Sequence, residues 1–344
     1  SGAWAGVGVR DGGWVGTGGG GGGGGAWAKG WRSAGRVVFE GGQGTSGGDV
    51  LQTAAAGGEI TGLVSTAFFT AGDMNAATDA FHDGIGLAQS LVASGRIEPL
   101  RVILATRAGQ GVLPRDAVKP AAALATGLAE VLPKELPFMA VRQVDIETTV
   151  SEAEIVAALS TEAELTGVEN LAAWRAGGRW VPHFEQLNIP APESNAAKIR
   201  EGGVYVITGG FGGMGLALAD AIAETAGVRV VLVGRRGGTG KKQVVDALEA
   251  KGAEVLSLAL DVSSAAAWRE IFTQAEERWG SVNGVIHAAG VAGSSIAVRK
   301  HREETATGWA AKVGGGRGLV ERCGGRTVCF GIIGASVGVW GGGA

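Results

Sequence analysis

The stretch Thr208-Gly209-Gly210-Phe211-Gly212-Gly213-Met214-Gly215 sets five glycines in eight residues. Glycine at this density lets a chain turn tightly and lets backbone N–H groups approach a pyrophosphate at the start of a helix. The next apolar run ends in Gly234-Arg235-Arg236, with no carboxylate beside the arginines. A carboxylate there would accept from a ribose diol, whereas arginine pairs with a 2′-phosphate, so NADPH is favoured over NADH. The plainer alternative is two solvated surface arginines. Asp261 and Val262 close a third apolar run. They either flank an adenine, or Asp261 simply begins a helix. His287 is followed by Ala288, Ala289 and Gly290, small residues that let the backbone come close to a cofactor. His82, His183 and His301 have no second ligand or nucleophile at useful spacing and read as structural.

These residues need strands that end where the loops begin. Val204 to Ile207 reads as a buried parallel strand, and Leu216 to Ala226 as the helix after the glycine loop. Val228 to Val233, Val255 to Leu260, Val282 to His287 and Thr327 to Gly331 are the further strands. Helices are expected over Lys241 to Lys251, over Ala265 to Trp279 with Ser263 or Ser264 as cap, and over Glu303 to Val320.

An earlier alternation precedes this one. Strands are predicted over Ile60 to Ala67, Leu100 to Thr106 and Ala140 to Ile146. Helices are predicted over Ala77 to Ser94, over Pro120 to Leu132 with a stop at Pro133, and over Glu152 to Leu159. No glycine loop follows any of these strands, so this half reads as a dinucleotide fold without a ligand. Gly177 to Phe184 reads as an edge strand because of Pro182. The fold class is therefore α/β, with two Rossmann-like, doubly wound parallel-sheet subdomains. Boundaries fall at 58–186 for the cofactor-free part, 187–200 for a linker and 201–344 for the cofactor-binding part, which is expected to be incomplete. Residues 1–57 are rich in Gly and Trp, unlike ordinary globular sequence, with one short strand conceivable over Arg36 to Glu40.

At 344 residues with a formal charge of −3, the chain has room for two domains, and its charge argues against nucleic acid as a partner. No stretch is long enough to span a bilayer, so secretion and membrane insertion are unsupported and no membrane partner is expected. Cys323 and Cys329 are too few for a disulfide framework and too isolated for a zinc site, which points to a reducing cytoplasm and no metal.

Taken in order, the glycine loop, Val-Gly-Arg-Arg, Leu-Asp-Val, His-Ala-Ala-Gly and Ala311-Lys312-Val313 resemble the short-chain dehydrogenases, and more narrowly the ketoreductase domains of modular type I polyketide synthases. Leu104 to Val112, Lys119 to Gly127 and Val131 to Glu135 resemble that family's cofactor-free structural subdomain. The resemblance implies reduction of a 3-oxoacyl chain, carried by an acyl carrier protein, to the 3-hydroxyacyl product with NADPH. It also implies neighbouring synthase domains and a homodimer formed through the megasynthase. A non-catalytic scaffold domain and a free-standing short-chain reductase are the alternatives. Lys312 matches the family's lysine, which lowers the pKa of a catalytic Tyr and holds the nicotinamide ribose. The Tyr slot falls at or just beyond Ala344, and Gly331-Ile332 stand where the family has a Ser pair. Tyr205, the one tyrosine, lies within the first strand of the second half and is not the acid. The family's Leu-Asp-Asp marker of product configuration is replaced after Gly290 by Val291-Ala-Gly-Ser-Ser295.

Overall fold

A computed structural model describes residues 60–167, 169–188, 199–291 and 295–324, together with four short backbone strands outside those ranges. The chain divides into two compact units, the first within Ser1–Gln186 plus Ser295–Lys300, the second within Leu187–Ser294 and His301–Ala335.

In the first unit the strands are β1 Trp4–Ala5, β2 Gly13–Thr17, β3 Glu40–Gly41, β4 Ile60–Ser65, β5 Leu100–Arg107, β6 Met139–Ile146, β7 Leu171–Arg175 and β8 Gly178–Trp180. They form one sheet in the order β1-β3-β2-β4-β5-β6-β7-β8. Neighbours from β4 to β7 run parallel. Side-chain alternation sends Leu63, Val102 and Leu104 to one face, under helices α2 (Met74–Ala93) and α3 (Leu124–Glu135). It sends Val64, Ile103 and Ala105 to the other, under Ile155 and Leu159 of α4 (Glu152–Glu164). A short α1 (Ala67–Thr70) precedes them. Capping places the helix starts: Asp73 accepts from the Ala76 N–H at 2.9 Å, and Ser151 and Glu154 form a reciprocal capping box.

Two expectations need correcting in this unit, and a third falls largely outside the described residues. The helix predicted to stop at Pro133 begins with a 3₁₀ turn, Pro120–Ala123, and carries Pro133 inside α3. Proline in the last turn forfeits only its own N–H bond, and Leu136 still donates to Leu132 O at 2.8 Å. The strand predicted over Gly177 to Phe184 is only Gly178–Trp180, the return arm of a hairpin with β7, which the sequence reading missed. Ala176 and Gly177, at φ 50° and 75°, make the two-residue turn whose twist suits such a hairpin. Of Arg36 to Glu40, only Glu40 lies in a described strand; residues 36–39 lie outside the described residues.

The carboxyl ends of β5, β6 and β7 are where an open α/β sheet ordinarily receives a ligand. Here the chain's own charges fill the place. Asp145, fully buried, accepts from Thr106 Oγ1 at 2.6 Å, Gly109 N at 2.7 Å and Arg175 Nη2 at 2.5 Å. Arg175, only 2% exposed, donates through Nε to Asp116 at 2.9 Å. The Val112 and Leu113 N–H groups also point at Asp116 and, with Arg175, hold its carboxyl down at about 2 against the cost of burial. A depressed carboxyl stabilises the fold above its ordinary pKa of 3.8, and that gain is lost as pH falls through about 2. The stability gap between wild type and Asp116→Asn should therefore close between about pH 4 and pH 2. Urea titrations at stepped pH check this; a gap constant over that window would contradict it.

The second unit has strands β9 Val204–Thr208, β10 Arg229–Gly234, β11 Glu254–Ala259, β12 Gly284–His287 and β13 Cys329–Ile332, all parallel, in the order β11-β10-β9-β12-β13. Central β9 is buried along its whole length. One face packs Val206, Val231 and Val233 against Trp268, Ile271 and Phe272 of α7 (Ala265–Trp279). The other packs Ile207, Val230 and Leu232 against Ala219 and Ile222 of α5 (Gly213–Ile222) and Leu248 of α6 (Lys242–Ala250). Strand order reverses between β9 and β12, which opens a crevice at their carboxyl ends.

Helix α5 starts three residues earlier than its apolar period indicated, inside the glycine loop, and ends at Ile222 rather than Ala226. Ser264, of the two candidate serines, is the cap of α7 and accepts from Ala266 N. The single helix expected over Glu303 to Val320 is instead α8 (Arg302–Trp309), a π turn (Ala310–Gly314) and α9 (Gly315–Cys323). No helix among the described residues is long and apolar enough to cross a membrane.

Candidate functional site

A cleft of about 740 Å³ opens at the carboxyl ends of β9, β10, β11 and β12. The glycine loop enters it through Gly209, Phe211 and Gly212. Gly209 has φ 67°, and a Cβ there would lie 2.6 Å from Ala288 O, so no side chain fits. A Cβ at Gly215 would run into Gly209 O, which makes its glycine the condition for α5 to pass so close over the loop. Gly212 is the N-cap of α5 and has no side chain to satisfy the first N–H groups, which leaves that helix end able to bind an anion. Phe211 packs on Gly234, in van der Waals reach of the turn that follows β10.

Arg235 and Arg236 line the same cleft, joined by Thr239 and Lys241, which the sequence reading passed over. Lys241 stands at the N-cap of α6, where it reads as an ordinary helix start. Asp261 and Val262 line the wall at the end of β11. Asp261 also accepts from Ser263 N at 3.0 Å, in the turn before α7, whose N-cap is Ser264. That N–H, helped by the Arg235 charge, keeps its carboxyl below the usual range. Ala288, Ala289 and Gly290 complete the floor.

Other residues singled out in the sequence stand behind or beside the cleft. Thr208 is fully buried, and its Oγ1 lies 2.6 Å from His287 Nδ1. Gly210 is buried against Ile207 O and Leu232, and Gly213 opens α5. Met214 points outward and is 60% exposed. Lys312 sits in the π turn, and its Cε lies 3.3 Å from where a Gly290 Cβ would be, so its stem crosses the rim of the floor. Tyr205 is 5% exposed in β9, and its hydroxyl accepts from Arg200 N at 2.8 Å; it does not line the cleft. His287 drew no role from the sequence, yet it is buried beneath the floor and bonded on both sides; the signal available was an imidazole ending a strand before three small residues.

Known proteins share both the sequence and the geometry of this unit. Residues 203–344 match the family model described as the KR domain. Over 247 residues, 71% of the chain, it is 30% identical to a phenolphthiocerol/phthiocerol polyketide synthase of Mycobacterium tuberculosis. Over 286 residues, 82% of the chain, it is 31% identical to an erythronolide synthase of Saccharopolyspora erythraea. The chain belongs to the polyketide-synthase ketoreductase domains.

Solved ketoreductases share the fold. A structure described as an A-type ketoreductase from a modular polyketide synthase superposes with TM-score 0.73 at 25% identity, covering 86% of this chain and 64% of that one. The first ketoreductase of the tylosin synthase gives 0.71 at 26% identity, covering 88% and 65%. The ketoreductase chain spans 13% of the mycobacterial synthase and 9% of the erythronolide synthase.

Proposed function

We propose that this ketoreductase domain binds NADPH in the cleft and serves reduction of a 3-oxoacyl chain, presented by an acyl carrier protein, to the 3-hydroxyacyl product. The observation that carries the reading is the convergence of Arg235, Arg236 and Lys241 on the glycine-loop cleft, with no carboxylate ending β10. The residues present fit the cofactor. Gly209 and Gly215 clear the approach, the α5 N-terminus faces a pyrophosphate, and the basic rim suits a 2′-phosphate. When bound, NADPH supplies the hydride. Asp261 and Val262 bracket the adenine end, and Ala288, Ala289 and Gly290 keep the floor low for the nicotinamide end. Lys312 is assigned to hold the nicotinamide ribose and to lower the pKa of a phenol acid. Tyr205 is not that phenol, because it is buried in β9 with its hydroxyl engaged. The first unit takes no nucleotide, since Asp145, Arg175 and Asp116 occupy the equivalent edge of its sheet. Neighbouring synthase domains are the partners proposed, because the proteins it is similar to are polyketide and erythronolide synthases.

A second reading, a ketoreductase-like scaffold without catalysis, is favoured by the same buried Tyr205. Titration of the 344-residue chain with both cofactors separates the two. NADPH should bind more tightly than NADH by about 30-fold or more. No binding of either cofactor would leave the scaffold.

A further inference from the structure

His287 ends β12 and is 2% exposed, with one ring nitrogen on each of two elements. Nδ1 lies 2.6 Å from Thr208 Oγ1, at the end of β9 where the glycine loop starts. Nε2 lies 3.1 Å from Ala311 O, in the π turn that carries Lys312. A carbonyl oxygen only accepts, so Nε2 must carry the proton. Burial keeps the ring neutral, so Nδ1 is the bare nitrogen and the Thr208 hydroxyl donates to it. The threonine thus selects the tautomer that can reach the turn.

The helix between α8 and α9 is built to receive this bond. In a regular α-helix Gly315 N–H would donate to Ala311 O. Here it reaches Ala310 O and Lys312 O, and Ala311 O turns to the imidazole. Insertion of a side-chain donor into the helical ladder is a recognised cause of such widened turns, which are common at functional sites. Space for the ring is made by Gly315, where a Cβ would lie 2.6 Å from His287 Cε1 and 2.8 Å from Nε2. Trp268 closes the remaining side, its ring centroid 5.8 Å from that of His287.

We propose that His287 is a positioning residue: through the Thr208–His287–Ala311 chain it ties the glycine loop to the π turn and so sets where Lys312 meets the cofactor. The inference rests on the role assigned to Lys312, and its test is arranged to fail separately from that role. His287→Asn keeps an acceptor near the Nδ1 position but is too short to reach Ala311. His287→Gln restores an N–H near the Nε2 position. In the 344-residue chain, His287→Asn should speed deuterium uptake across residues 310–315 and weaken NADPH binding roughly tenfold, while His287→Gln stays within about twofold of wild type in both. In a Lys312→Ala background, His287→Asn should cost no further NADPH affinity, as expected when one residue acts through the other. Should His287→Asn fail to fold, Gly315→Ala, which crowds the ring away from Ala311, should give the same pair of changes. Equal effects of Asn and Gln, or an undiminished loss in the Lys312→Ala background, would overturn the proposal. A wild-type chain that binds no NADPH would overturn the cofactor assignment instead, and unchanged deuterium uptake in His287→Asn would then overturn the tether as well.

Discussion

Replacing Arg235 and Arg236 together with alanine is expected to weaken NADPH binding by about 2–4 kcal/mol, roughly 30- to 1000-fold, with NADH binding nearly unchanged. Each charge-assisted contact to a 2′-phosphate contributes about 1.5–3 kcal/mol, and two neighbouring guanidiniums share the same oxygens, so the sum is not additive. Both side chains are exposed at the rim, which places the effect toward the lower end at high salt. Lys241 lines the same wall and retains part of the attraction in the double variant. Calorimetric titration with both cofactors reads the difference directly. Equal losses for NADPH and NADH would show that the arginines serve the pyrophosphate or the fold, and the proposed cofactor preference would fall.

Arg175→Ala is expected to destabilise the first unit by about 3–5 kcal/mol, the usual cost of removing one partner from a buried ion pair. The loss comes from what remains. Asp145 and Asp116 would face each other's charge with their guanidinium gone, and Asp145 has no route to solvent. Replacing all three by neutral residues, Asp145→Asn, Asp116→Asn and Arg175→Leu, should recover much of that loss, because no charge is then stranded. Urea denaturation followed on the first unit's tryptophans measures both variants. A cost below about 1 kcal/mol for Arg175→Ala would mean that water reaches the carboxylates.

What the sequence made legible was whatever is local. The glycine loop declares itself because strand, turn and helix follow one another within a few residues, and Arg235-Arg236 because they follow an apolar run. The ion-pair network was hidden because its members are far apart in sequence: Arg175 is 30 residues from Asp145 and 59 from Asp116. Nothing in Leu-Ala-Ala-Trp-Arg announces that its arginine will be buried. Pro133 misled for a different reason, since a rule that suits helix interiors is relaxed in a final turn. The π turn has no periodic signature at all, and only the meeting of Ala311 O with His287 reveals why the helix widens there.

That widened turn also acts as a phase adjuster. Successive residues of a regular helix advance by about 100°, so the orientation of Lys312 would ordinarily dictate that of Leu319 and Cys323 downstream. Here the extra residue absorbs the mismatch, and Leu319 and Cys323 lie in the core with Val206 and Phe272 while Lys312 remains exposed. Two demands on one stretch of chain, a rim that must suit a cofactor and a core that must stay packed, are thereby met independently. Sequence drift in α8 can retune the rim without rotating α9 out of the core. Deleting one residue between 310 and 314 would link the two again, and the molecule could satisfy the rim or the core but not both.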